Sequence, residues 1–107
     1  MVEIKWTPHC LDDIKNIAEF IAKDSLKYSF IQVGDFFESV IILEKFPKIG
    51  RIVPEVGNKN IRELIVGFYR LIYRIVDADR VDIVTVHHSN RLLESKIIKN
   101  RIKAIRK

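Results

Sequence analysis

The amino-acid sequence predicts a small α+β protein. Its first half carries two stretches in which apolar residues recur at helical spacing, whereas residues 61–88 consist of three β-rich runs separated by short breaks. The predicted order is an N-terminal strand, a long antiparallel helical hairpin, a three-strand antiparallel meander and a C-terminal helix. We expect the helices to cover one face of a mostly antiparallel sheet.

The strand and the first helix are predicted from local patterns. Residues 2–6 alternate between apolar and polar side chains, as in a half-buried strand. Thr7 and Pro8 are typical of a helix N-cap and a first helical position, and the helix is expected to end near Lys23. Its apolar stripe comprises Leu11, Ile14, Ile17, Ala18, Phe20 and Ile21.

The second helix is predicted to begin after Ser25, a good N-cap, and to end near Phe46, because Pro47 cannot continue a helix. Its apolar face is expected to contain Leu26, Phe30, Val33, Phe37, Val40, Ile41 and Leu43. Residues 47–58 hold two of the three prolines and two of the four glycines, so we expect a loop there.

The strands of the second half are predicted over residues 61–66, 68–76 and 80–88. If residues 78 and 79 form a two-residue turn, Val76 pairs with Val81. The same register places Arg70 opposite His87 and Tyr69 opposite His88. The alternate residues Tyr69, Leu71, Tyr73 and Ile75 form an apolar row, which is typical of the buried face of a sheet.

Length and composition narrow the class of protein. The 107 residues, 48% hydrophobic and 31% charged, are predicted to form one domain, residues 1–107. The single cysteine, Cys10, excludes an intramolecular disulfide and is typical of a reducing compartment. We find neither a signal-peptide pattern nor an apolar run long enough to span a membrane. The expected location is therefore the cytoplasm, without a membrane partner.

The positive charge is concentrated at the C-terminus. Residues 91–107, the predicted basic helix, hold seven Lys and Arg residues and one acid, a net charge of +6. The other ninety residues hold twelve basic and thirteen acidic residues, a net charge of −1. This asymmetry indicates an acidic partner, either nucleic acid or protein, or else only a solvated helix face.

The meander carries the residues best suited to chemistry. Arg70 offers a planar, permanently charged group to phosphate oxygens, and a histidine beside it could transfer protons near neutral pH. Because His87 and His88 are neighbours on a strand, only one of them can share a face with Arg70. The structural alternative is that Arg70 pairs with an acid such as Glu63 and that one of the histidines is a hydrogen-bonded core residue. The diverging histidines form no metal site, and no glycine-rich phosphate loop occurs, so no metal and no cofactor are predicted.

Four groups of residues resemble a known family. They are Phe46-Pro47 with Gly50-Arg51 and Pro54-Glu55, then Arg62-Glu63-Leu64, then Gly67-Phe68-Tyr69-Arg70-Leu71-Ile72-Tyr73, and last Val86-His87-His88-Ser89-Asn90-Arg91. In order and spacing they resemble the RelE/ParE superfamily, the toxins of bacterial and archaeal type II toxin–antitoxin pairs. The predicted order of helices and strands extends this resemblance to the N-terminus.

The resemblance implies one of two activities. RelE-like members cut mRNA in the ribosomal A site, whereas ParE-like members poison DNA gyrase without known catalysis. Arg70 matches the arginine that contacts the scissile phosphate in the nucleases, and His88, three residues before Arg91, matches a functional histidine of some relatives. The basic pair on the preceding strand of the nucleases is replaced here by Arg62-Glu63. The resemblance therefore favours a ParE-like toxin that inhibits growth and serves plasmid stabilisation.

The resemblance also implies partners and alternatives. Such toxins are neutralised by a cognate antitoxin with an acidic, partly disordered segment, and they reach operator DNA only through that antitoxin. The residues expected to make binding contacts are Arg62, Tyr69, Tyr73, Arg91, Lys96 and Lys99. One alternative is a metal-free, ribosome-dependent endoribonuclease in which Arg70 acts with His88 or His87. The other is a degenerate, non-toxic relative that retains only antitoxin binding.

Overall fold

The structure, a computed structural model, describes residues 1–90 and 95–103, and within them the predicted α+β architecture is confirmed. The elements are β1 (Glu3–Trp6), α1 (Pro8–Ala22), α2 (Leu26–Ser39), a 3₁₀ helix (Ile41–Glu44), β2 (Arg51–Ile52), β3 (Ile61–Val66), β4 (Tyr69–Asp77), β5 (Arg80–His88) and α3 (Ser95–Lys103). Residues 91–94 and 104–107 of the predicted basic helix, including Arg91, lie outside the described residues. None of the helices described is long and apolar enough to cross a membrane.

The strands form one five-stranded sheet in the order β1-β5-β4-β3-β2. The meander β3-β4-β5 is antiparallel, as predicted, and β1 adds to its edge in parallel with β5, from Glu3↔Arg80 to Trp6↔Ile83. Arg51 and Ile52 pair with β3, so the predicted loop contains a short strand. A strand of two residues is too short to show an alternating pattern, and the sequence therefore does not reveal it.

The register of β4 against β5 matches the prediction at the end of the hairpin that contains Arg70. Arg70 pairs with His87 and Tyr69 with His88. Near the turn the prediction is wrong, because Val81 pairs with Ile75 rather than with Val76. The register shifts by one residue between Ile75 and Asp77 and shifts back between Ile72 and Tyr73, so the two irregularities cancel.

Both predicted N-caps are confirmed. The Thr7 hydroxyl accepts a hydrogen bond from the Cys10 backbone N–H at 3.2 Å and donates one to the Ile83 carbonyl at 2.7 Å. The second bond ties the start of α1 to the sheet. The Ser25 hydroxyl accepts from the Tyr28 N–H at 3.2 Å, which satisfies one of the free donors at the start of α2.

The second helix is shorter than predicted and turns a different side to the core. It ends at Ser39, and residues 41–44 continue as a 3₁₀ helix, whose three-residue period places Val40 and Leu43 on one side, both buried. Ser29 and Phe36 are buried instead of the predicted Phe30 and Phe37. The members of the two predicted apolar stripes that are in fact exposed are Leu11, Phe20, Leu26, Phe30, Phe37 and Ile41.

The sheet is covered on both faces, which corrects the expectation of helices on one face only. On one side α1 and α2 pack on the predicted apolar row, with Phe36, Leu71 and Tyr73 in the same buried cluster. On the other side Ile98 of α3 joins Ile72 and Val84 in a second cluster. Residues 72 and 73 point to opposite faces, so the sheet separates the two clusters.

Asp13 joins α1, the sheet and α3. Its carboxylate accepts hydrogen bonds from the Thr85 hydroxyl and, at 3.3 Å, from the Val86 backbone N–H. Arg101 of α3 donates to the same carboxylate at 3.0 Å. Since β1 ends opposite Ile83, Asp13 occupies the edge of β5 that β1 leaves uncovered.

Candidate functional site

Arg70 lies in a cluster of two arginines and two glutamates. Its Nε donates to Glu63 Oε1 at 2.6 Å, and Nη1 and Nη2 donate to the two carboxylate oxygens of Glu55, each at 2.8 Å. Glu63 also accepts from Arg51. The Arg70 side chain is 9% exposed and that of Glu63 is fully buried. Every nitrogen of the Arg70 guanidinium thus donates to a carboxylate.

The electrostatics of this cluster follow from the bidentate pairing. The hydrogen bonds from Arg70 lower the pKa of Glu55 from its ordinary 4.5 to about 2. Conversely, the hydrogen bonds to Glu55 raise the pKa of Arg70, although burial acts in the opposite sense. Both groups are therefore charged at neutral pH, and the positive charge of Arg70 is offset by its carboxylate partners.

The Glu55–Arg70 pair should make stability depend on acid pH. Because the pKa of Glu55 is lower in the folded chain than in the unfolded chain, the unfolded chain takes up the proton first. The stabilisation is present above about pH 4.5 and is lost as the pH falls towards about 2.

Urea denaturation across this range should show a shallower loss of stability for Glu55→Gln than for the wild type. Glu38→Gln, which changes an exposed carboxylate outside any described ion pair, should keep the wild-type profile; equal profiles for all three proteins would contradict the role of Glu55.

The structure does not bring His88 and Arg70 together. They occupy adjacent registers of the hairpin and point to opposite faces, so the pair favoured for catalysis is not assembled. His88 is exposed, its Nδ1 accepts from the Asn90 N–H at 3.1 Å, and its ring lies 6.4 Å from that of Phe68. His87, the cross-strand partner of Arg70, is buried and only 9% exposed.

A cleft of about 350 Å³ lies between α1 and the ends of β4 and β5. Its lining residues are Asp13, Asn16, Ile17, Phe20, Tyr69, Val86, His87 and His88. Asp13, the carboxylate in this cleft, is already engaged by Thr85, Val86 and Arg101. Among the residues that the structure describes, no group of His, Cys, Asp and Glu is arranged to hold a metal ion.

Two of the predicted contact residues fix the loop between β2 and β3 and the turn before it. Arg62 donates to the backbone carbonyls of Lys48, Gly50 and Lys59 at 3.1, 2.9 and 2.8 Å. The Tyr73 hydroxyl donates to the Pro47 carbonyl at 2.7 Å and accepts from the Gly50 N–H at 2.9 Å.

The other predicted contact residues occupy different environments. Tyr69 is buried against Phe36, with ring centroids 5.4 Å apart, so it belongs to the core. Lys96 and Lys99 are exposed on α3. Sequence reasoning missed Glu55, the second partner of Arg70. A signal was present, since Glu55 is the one acid in residues 45–62, a stretch with five basic residues.

The comparisons with known proteins agree with this architecture. The family model described as ParE toxin of type II toxin-antitoxin system, parDE, matches residues 4–93. A solved structure described as the chromosomal ParDE TA system from P. aeruginosa has the same fold, with a TM-score of 0.67 and 19% sequence identity. The match covers 82% of this chain and 96% of that one. A search of curated proteins gave no match.

The fold and the family match together define the class of protein as a small α+β toxin of the RelE/ParE type. Since the family model covers most of the chain, this protein belongs to the ParE toxin family of type II toxin–antitoxin systems.

Proposed function

We propose that this protein is the toxin of a type II toxin–antitoxin pair, that it inhibits growth in the cytoplasm by binding DNA gyrase, and that a cognate antitoxin neutralises it. The observation on which the proposal rests is the pairing of Arg70 with two carboxylates. Its charge is offset by Glu55 and Glu63, so it does not offer a free cation to a phosphate. The hairpin is better suited to binding a protein than to cutting RNA.

The nuclease alternative lacks support from the geometry of the hairpin. Metal-free RNA cleavage needs a cation at the reacting phosphate and a proton-transferring group within reach of the same atoms. Arg70 is bound to two carboxylates, and His88 points to the opposite face. His87 shares the face of Arg70 but is almost entirely buried, so an RNA strand could reach it only after rearrangement.

The helical hairpin supports the proposed antitoxin contact. On α1 and α2, and just beyond them, Phe20, Leu26, Phe30, Phe37 and Ile41 are 41 to 69% exposed. Large apolar side chains left exposed on packed helices are typical of a surface that a partner covers. The basic α3, with Lys96 and Lys99 exposed, would attract the acidic segment expected of the antitoxin.

Expression of the chain in a bacterial host tests the proposal. Expressed alone it should arrest growth, and co-expression with the product of the neighbouring reading frame should restore growth. The purified protein should inhibit gyrase supercoiling, and primer extension should find translated mRNA intact. His88→Ala, which removes an exposed side chain, should remain toxic.

The alternatives give different outcomes in the same experiments. Cleaved mRNA that becomes intact with His88→Ala would establish an endoribonuclease instead. Normal growth on expression of a folded, soluble chain would mean a degenerate relative without toxic activity.

A further inference from the structure

Residues 45–62, the basic loop, combine cations with exposed apolar side chains. The cations are Lys45, Lys48, Arg51, Lys59 and Arg62, and the single acid, Glu55, is held by Arg70. Three large apolar residues of this loop are turned towards solvent, namely Phe46, Ile49 and Ile52, which are 59, 54 and 38% exposed. These three apolar side chains belong to neither of the two buried clusters, so they form an exposed apolar surface beside the cations.

The basic loop is held rigidly despite its exposure. Tyr73 and Arg62 bind five of its backbone groups directly, and Val53 is fully buried in the cluster beneath α3. A Cβ added at Gly50 would lie 2.5 Å from the Tyr73 hydroxyl oxygen and 2.7 Å from the Glu63 carbonyl oxygen. The chain therefore passes so close to β3 and β4 that only glycine fits at residue 50. A surface fixed in this way loses little conformational freedom when a partner binds.

Arg62 makes no ion pair with any residue that the structure describes. Its partners are three backbone carbonyls, and within residues 1–90 and 95–103 no carboxylate bonds to it. Its Nη2 donates to no described group, and the Arg62 residue is partly exposed. Because Arg62 bonds to the carbonyls of Lys48 and Lys59, these two lysines lie beside it. We call these three basic residues, which the backbone bonds bring together, the charged corner.

An apolar cleft lies next to this corner. Its volume is about 420 Å³, and its lining residues are Lys45, Phe46, Pro47, Lys48 and Ile49. Lys48 belongs both to the cleft and to the charged corner around Arg62. If a partner inserts an apolar side chain into the cleft, an acidic residue next to that side chain in the partner would lie within reach of the cations.

We propose that the basic loop is a docking surface for an acidic protein segment that carries apolar side chains. Carboxylates would bind at Arg62, Lys48 and Lys59, while an apolar side chain enters the cleft beside Phe46 and Ile49. A nucleic acid fits less well, since its phosphates would match the cations but leave the apolar side chains uncovered. This surface is distinct from the helical hairpin, and the inference does not depend on gyrase being the target.

Binding of synthetic peptides to the full chain tests the inference. The probe is a short fluorescein-labelled peptide built from glutamate and leucine, and its binding is followed by fluorescence anisotropy. Two control peptides replace every glutamate by glutamine or every leucine by serine, and a labelled single-stranded oligonucleotide represents nucleic acid. We expect the acidic, apolar peptide to bind about tenfold more tightly than each control, as the loss of a charge-assisted contact or an apolar contact implies.

Substitutions locate the binding surface. Lys48→Glu and Ile49→Ser change exposed side chains and should each weaken binding of the acidic, apolar peptide about tenfold. Arg62→Gln should weaken it as well, but it also removes bonds to the loop, so Lys48→Glu is the decisive variant. The matched controls are Lys15→Glu on α1 and Ile31→Ser on α2, both exposed and both expected to bind as the wild type does.

Three outcomes would overturn the inference. They are a wild type that does not bind the peptide, a Lys48→Glu variant that binds as well as Lys15→Glu, and an oligonucleotide that binds more tightly than the peptide through the same residues.

Discussion

Arg70→Ala is expected to lower the free energy of unfolding by about 3–5 kcal/mol, the cost of breaking a buried ion pair from one side. The reason is the position of Glu63, whose side chain is fully buried and would lose its bond to the Arg70 Nε. Arg51 would remain as a partner of Glu63, but its side chain is 63% exposed and it cannot replace a buried guanidinium. Glu55 would lose both of its bonds to Arg70 at the same time.

Chemical denaturation with circular dichroism measures this effect, and Arg74→Ala provides the matched control. Arg74 lies on the same strand, is half-buried and makes no ion pair with any described residue, so its removal should cost under about 1 kcal/mol. If Arg70→Ala lost no more stability than Arg74→Ala, the Arg70 guanidinium would not be held by carboxylates in solution. It would then be available to a phosphate, and the nuclease alternative would regain support.

Phe36→Ala is expected to lower the free energy of unfolding by about 3–5 kcal/mol, as for other fully buried phenylalanines. The Phe36 side chain is completely inaccessible to solvent, and its ring packs edge to face against Tyr69. Its removal would leave a cavity between α2 and the sheet, which neighbouring side chains would fill only in part.

Phe37, the next residue on α2, provides the control for Phe36→Ala. Phe37 is 41% exposed and rests on Trp6, with ring centroids 4.6 Å apart. Phe37→Ala should therefore cost only about 1 kcal/mol, since one exposed aromatic contact is lost. Thermal unfolding of the two variants measures the difference. A larger loss for Phe37→Ala would mean that α2 is rotated, with the sequence-predicted side towards the core.

Local signals in the sequence were sufficient for the element order and the helix starts. Thr7 and Ser25 cap their helices through bonds to residues only three positions away. These caps can therefore be predicted from the local sequence alone. The buried side of α2 could not be predicted in the same way. Apolar residues recur at helical spacing along two of its sides, and the side that is buried is the one that contains Ser29. Its small side chain donates to the Ala18 carbonyl at 2.7 Å, where α1 and α2 pack together.

Within the candidate site, the sequence predicts only those partners of Arg70 whose positions are fixed by the pairing of strands. Glu63 lies one strand away from Arg70 and on the same face, so its role as a partner could be anticipated from the register. Glu55 reaches Arg70 from a loop whose path depends on tertiary contacts of Arg62 and Tyr73. The hydrophobic periodicity of a sequence predicts helices and strands, but it does not predict the course of a loop. The match of Arg70 with His87 was predicted although two register irregularities, invisible in the sequence, lie between that pair and the turn.

The position of Asp13 has a consequence for solubility. Beyond Ile83, no strand among the described residues pairs with β5 on the side of β1, and an uncovered strand edge is a template on which another chain can add. The Asp13 carboxylate accepts a hydrogen bond from the Val86 N–H at this edge and places a negative charge there. An incoming strand would have to displace that charge together with Arg101. We therefore expect Asp13 to hinder pairing of this edge of β5 with the strand of another chain.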